Sequence, residues 1–177
     1  IVEELLWKRV YKMAKERNTV LVFSAGNDNV ISYLNPQNRP DSIISVTAID
    51  YKFQKSIFNQ DGDGSDYGLG STIAAPGSDI YSSVPINDYA MMQGTSMAAP
   101  IVTGVVALLK SVKKDISIGE TIDILQRSGK SLSDKTLGPL VQADRALVLL
   151  QTGSLPPDET NDDNKDDDKD ENNKDYS

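Results

Sequence analysis

Residues 94–112 read GTSMAAPIVTGVVALLKSV, a turn that runs into a helix of small and apolar residues. A helix that is apolar all round is buried in the middle of a domain rather than laid on its surface. Met97, Ala98 and Ala99 keep its first turns slim enough for that. Gly94 opens backbone conformations closed to other residues. Ser96, just before or at the helix start, lies beside unsatisfied N–H groups and the positive end of the helix dipole. That field would stabilise an oxyanion developing next to the Ser96 hydroxyl. A serine in the same place is equally well read as an N-cap.

Upstream, Thr72–Ala75 and Asp79–Val84 suit short strands split by Pro76-Gly77, and Tyr89–Gln93 leads into the turn. Residues 50–70 are irregular and glycine-rich. TVLVFS (19–24) and IISVTAI (43–49) are apolar runs without alternation, as expected of strands buried on both faces of a parallel sheet. Residues 1–17 read as an amphipathic helix, with Val2, Leu6, Val10 and Met13 on one face and Lys8, Lys12 and Lys15 on the other. Downstream, Ser117-Ile118-Gly119-Glu120 has the capping-box pattern and opens a helix over 117–127. Residues 141–150 read as a last short helix. The order of elements predicts an α/β domain.

The chain of 177 residues is long enough for one domain with a real core. It contains no cysteine, which excludes disulfides and thiolate metal sites, and no histidine, which removes the commonest general base. No apolar run of about 18 residues is evident, so no membrane span is expected. Gln151–Ser177 holds ten acidic and three basic side chains, a net of −7 out of −8, so the remaining 150 residues carry −1. A nearly neutral body gives no electrostatic case for nucleic acid. From Thr152 onward the Asp/Asn/Lys-rich sequence lacks the apolar surface to fold, which predicts a domain over 1–151 and a disordered tail or linker over 152–177. Such a tail would space the domain from its surroundings or bind calcium weakly.

A second segment, Phe23-Ser24-Ala25-Gly26-Asn27-Asp28, runs from a strand into a glycine and an asparagine. Asn27 is either a turn residue or a side-chain amide aimed at an oxyanion. Taken together, the two segments resemble the subtilisin-like serine proteases, the subtilase family. Gly94–Pro100 matches that family's G-T-S-M-A-x-P serine motif without a gap, and Val20–Asn27 matches its hydrophobic strand ending in A-G-N. Ile43–Asp50, Phe58, Ser65-Asp66-Tyr67-Gly68 and Ala74-Ala75-Pro76-Gly77 resemble further family elements in order, so the likeness covers about residues 1–150.

The resemblance implies the C-terminal portion of a three-layer fold, a mostly parallel sheet flanked by helices. It implies a serine endopeptidase acting on polypeptides through an acyl-enzyme, with no cofactor required for the chemistry. Ser96 matches the nucleophile and Asn27 the oxyanion-hole side chain, with the Ser96 backbone N–H as second donor. Ser24, Ala25 and Gly26 match the strand that lines the primary specificity pocket and pairs with substrate backbone. Gly94 and Thr95 fall among the substrate-binding residues. An extracellular, cell-surface or periplasmic location is implied as well. The preferred substrate side chain is not legible, because loop 28–42 aligns with no family pattern.

The family's chain order is Asp, His, Ser. Both earlier members are therefore expected upstream of Ile1, in the missing N-terminal half of the same domain. Without a histidine, this polypeptide alone is predicted to be inactive. Two readings compete with the enzyme: a non-catalytic subtilase-like binding module, and a surface-anchoring segment dominated by its tail. A D-[ST]-G and an H-G-T-H-type motif upstream would discriminate the first. Two departures from the family pattern are Ile101, where a histidine that is not catalytic often follows the motif proline, and an insertion at Asn59–Gly64. Within it Asn59, Asp61, Asp63 and Gly64 match the first positions of a calcium loop, yet position 12 is Gly70 rather than the required glutamate. A structural calcium and a plain solvated insertion both remain readings of that loop.

Overall fold

The computed structural model describes the backbone of residues 2–31 and 43–155, and the side chains of 5–31 and 43–155. The expectations for the acidic tail beyond residue 155, for most of loop 28–42 and for Val2 lie outside the described residues. Helix α1 (Val2–Glu16) leads into strand β1 (Leu21–Ser24), followed by β2 (Ile43–Ile49) and β3 (Ile73–Pro76). These three strands form a parallel sheet in the order β1-β2-β3. An antiparallel hairpin of β4 (Ile80–Val84) and β5 (Asp88–Met92) then delivers the chain to helix α2 (Thr95–Val112). Helices α3 (Ile118–Ser128) and α4 (Ala143–Thr152) complete the described chain, with a 3-10 turn at Lys135–Leu137 between them.

Alternation along the strands gives the sheet two buried faces. Ile44, Val46 and Ala48 of β2, with Ile73 and Ala75 of β3, pack against Ala98, Val102, Val105, Val106 and Leu109 of α2. Ile124 and Leu125 of α3 and Ala146 and Leu149 of α4 extend the same cluster. The opposite face carries Ile49 and Ala74 against Leu132, Leu137 and Leu140, and there the Thr47 hydroxyl donates to the Leu137 carbonyl at 2.7 Å. On that side Trp7 of α1 meets Phe23 edge-on at 5.6 Å between ring centroids. The result is helix, sheet and covering layer, an α/β architecture with a parallel sheet flanked by helices.

All seven residues of β2 are buried, as its unbroken apolar run predicts. The same expectation fails for β1, whose Leu21, Val22 and Phe23 are half-buried and whose Ser24 is exposed. The physical reason is position: β1 pairs with β2 on one side and with no described strand on the other. One helix among the described residues, α2, is long and apolar enough to cross a membrane, contrary to the expectation that no such run exists. Its inward residues are spent on the sheet, so it is a core helix. The Leu109 side chain is fully enclosed there. Leu109→Ala is expected to lower stability by about 3 kcal/mol in urea denaturation, the lost transfer energy plus a cavity. A change below about 0.5 kcal/mol would mean that α2 does not hold the core.

The capping box at α3 forms by half. The Ser117 hydroxyl accepts from the Glu120 N–H at 3.1 Å, but the Glu120 carboxylate turns to Lys113 Nζ at 2.8 and 3.0 Å instead of back to the helix start.

Candidate active site

The site begins with two glycines that let three segments crowd together. Gly94 has φ 140° and ψ 162°, a region essentially reserved for glycine, and it turns the chain from β5 into α2. Its N–H donates to the Gly77 carbonyl at 2.8 Å. A Cβ on Gly77 would come 2.5 Å from Ala48 Cβ and 2.9 Å from the Gly94 carbonyl oxygen. The A-P-G element therefore packs directly beneath the serine turn and onto β2, and this close approach requires Gly77 to lack a side chain.

Helix α2 starts at Thr95, with Gly94 in the capping position, which has no side chain to cap it. Of the two readings of Ser96, the N-cap is therefore not the one realised. Ser96 is the second helical residue and exposed. No described residue hydrogen-bonds its hydroxyl. Its backbone N–H lies in the first turn, where intrahelical acceptors are lacking.

Thr95, one residue earlier, has no exposed surface. Its N–H donates to Asn27 Oδ1 at 2.9 Å and its hydroxyl donates to the same oxygen at 2.8 Å. The hydroxyl also lies 3.3 Å from both the N–H and the carbonyl of Gly26. Thr95, among the residues expected at the substrate, is buried here and holds the Asn27 amide oxygen from below. A backbone N–H can only donate, so the amide oxygen of Asn27 must face Thr95 and the Nδ2 group must face away. That Nδ2 has no acceptor among the described residues, and a Cβ on Gly94 would sit 3.4 Å from it. Asn27 is exposed and makes no positive-φ turn; Asn29, with φ 56°, takes that role. The structure thus brings together Asn27, Gly94 and Thr95 and sets Ser96 beside them.

Ser24 ends β1, and the Ala25 N–H continues the ladder to the Val46 carbonyl at 2.9 Å. Gly26 has φ 119°, and its carbonyl accepts from Asp66 N–H at 3.0 Å. Asp66 lies under this strand, 7% exposed. It lies 40 positions along the chain from Gly26, and the Ser65-Asp66-Tyr67-Gly68 element that contains it gives no sign of this contact.

At the insertion, Asn59 Nδ2 donates to Asp63 Oδ2 at 2.6 Å and Asp63 N–H donates to Asn59 Oδ1 at 2.9 Å. The two side chains close the loop on each other. Among the described residues no group of three or more Asp, Glu, His or Cys is placed to hold a metal ion. Gln93 reaches back from the serine turn to donate to the Phe58 carbonyl at the base of this loop.

Comparison with known proteins bears on this arrangement. The model of the subtilase family matches residues 2–140. Subtilisin-like protease 2 of Plasmodium falciparum is 39% identical over 152 residues, 78% of this chain and 11% of that protein. Subtilisin DY of Bacillus licheniformis is 32% identical over 130 residues, 72% of this chain and 45% of that protein. A solved protease structure from Pseudoalteromonas arctica superposes with a TM-score of 0.70 at 29% identity, covering 80% of this chain and 46% of that one. The chain thus spans less than half the length of each of these relatives.

Proposed function

Because the chain belongs to the subtilase family, whose named relatives are serine proteases, we propose that it supplies the nucleophile half of a serine endopeptidase site. Ser96 is the nucleophile in this reading. Asn27 Nδ2 and the Ser96 N–H receive the negative oxygen of the tetrahedral intermediate, and the α2 dipole adds to that field. The observation that carries the reading is the double acceptance by Asn27 Oδ1 from Thr95, which turns the amide donor away from Thr95; among the described residues neither that donor nor the exposed Ser96 hydroxyl has a partner. Ser24, Ala25 and Gly26 form one wall of the pocket and offer a strand edge to the substrate backbone.

The hydroxyl needs a base that a histidine-free chain does not contain. An Asp and a His contributed from outside these residues complete the site in this proposal. The open edge of β1, with Leu21, Val22 and Phe23 half-buried, supports docking of the remainder of the domain there. The substrates are polypeptides, the chemistry needs no cofactor, and the setting is extracellular, cell-surface or periplasmic. Treating the complete protein with a fluorophosphonate and mapping peptides by mass spectrometry is expected to place the adduct on Ser96. An adduct confined to another residue would contradict the reading.

A further inference from the structure

Asp66 is a largely buried carboxylate with one oxygen unpartnered among the described residues. It is 7% exposed. Oδ1 accepts from the Val30 N–H at 3.0 Å, and Oδ2 has no donor among the described residues. The ion pairs found among those residues, Lys12–Glu16, Lys113–Glu120 and Arg127–Asp123, do not involve it. The nearest lysine in sequence, Lys55, lies over the Tyr67 ring at 3.8 Å. Oδ2 is not among the fully enclosed unpaired atoms, so it stays open to an incoming group, and a cation reaching it would meet a partly desolvated charge.

The position of Asp66 indicates where that cation comes from. A Cβ built on Gly26 would lie 2.2 Å from Asp66 Oδ2 and 2.9 Å from its Cγ. The carboxylate therefore fills the place where a side chain of residue 26 would begin. Gly26 is in turn 3.3 Å from the Thr95 hydroxyl, and Thr95 precedes Ser96 directly. Bridges between Asp28 and Gly64 and between Ile31 and Tyr67 run this segment alongside the Asn27 loop. They bring Asp28 and Asp63 to the same flank, also without an ion pair among the described residues.

Resting on the assignment of Ser96 as nucleophile, we propose that Asp66 selects substrates with an arginine or lysine immediately N-terminal to the scissile bond. The glycine of the pocket wall leaves room for the carboxylate, and the substrate's cation supplies its missing partner. Asp28 and Asp63 add a negative field that draws basic segments toward the site.

The test compares peptides that differ only in that residue, arginine against phenylalanine, on the complete protein. Arginine is expected to be favoured about 100-fold in kcat/KM, the scale of losing one partner of a desolvated charge pair. Asp66→Asn keeps an oxygen for the Val30 N–H and removes the charge. It is expected to erase the arginine preference, read as the ratio of kcat/KM on the two peptides. On the unsubstituted protein, benzamidine should compete with substrate and uncharged benzamide should not. Preference for phenylalanine, an equal loss on both peptides in Asp66→Asn, or no competition by benzamidine would overturn the proposal. Absence of any Ser96-dependent hydrolysis would instead overturn the nucleophile assignment, and the specificity proposal with it.

Discussion

Asn27→Ala in the complete protein is expected to lower kcat by about 10²–10³ with KM nearly unchanged, a scale carried over from the oxyanion asparagine of a subtilisin. The split follows from where the donor acts. In the proposed reading Asn27 Nδ2 meets charge that develops only in the transition state, so its loss would leave ground-state binding alone. Alanine also removes the acceptor that holds Thr95 N–H and its hydroxyl. Asn27→Asp separates the two effects. One aspartate oxygen can still accept both Thr95 bonds, while the other replaces the amide donor with negative charge. If the donor carries the effect, the aspartate variant is at least as impaired as alanine. If the Thr95 bonds carry it, the aspartate variant keeps most of the activity. Steady-state kinetics on one peptide for the three proteins decides between them.

The second large effect concerns the chain by itself. Ser96, Asn27 and residues 24–26, proposed above as nucleophile, oxyanion donor and pocket wall, lie on segments that pack together in the described structure. On that proposal the hydroxyl of the chain alone is expected to be unactivated, because a serine needs an adjacent base to become a nucleophile. The 177 residues contain no histidine. No lysine or carboxylate is found in contact with Ser96 among the described residues. Acylation of the isolated chain is therefore expected to be slower than that of the complete protein by at least about 10⁴-fold, the order of effect that follows loss of a triad member.

Much of the site was legible because its local sequence is constrained. Small residues after Ser96 announce a slim helix, although only its sheet-facing side is buried and Leu108 and Val112 on the other side are exposed; β2 announces itself by seven apolar or small residues, all of them buried. Other features depended on tertiary placement. The helix start falls at Thr95, and successive helical residues turn by about 100°, so one hydroxyl faces inward and its neighbour outward. Sequence alone does not say which, and this is why Thr95 was expected at the substrate and is found beneath Asn27. The β4–β5 pairing was hidden for a different reason. Its loop, Pro85-Ile86-Asn87, puts Ile86 and Asn87 at φ 69° and 59°, where glycine would have given a turn signal. Ile86 is left 97% exposed. Half-burial of β1 reflects the neighbours it has, not its composition. Glu120 leaves its own capping box for Lys113, a partner seven residues back, which the local pattern does not encode.

The central claim is that Ser96 is a competent nucleophile only when a base from outside this chain reaches it. Fluorophosphonate labelling rates measured side by side on the isolated chain, the complete protein and its Ser96→Ala variant test this directly. The account predicts rapid labelling of the complete protein, none of Ser96→Ala, and labelling of the isolated chain slower by at least about 10⁴-fold. Labelling of the isolated chain at the rate of the complete protein, or of the Ser96→Ala variant at the unsubstituted rate, would contradict it.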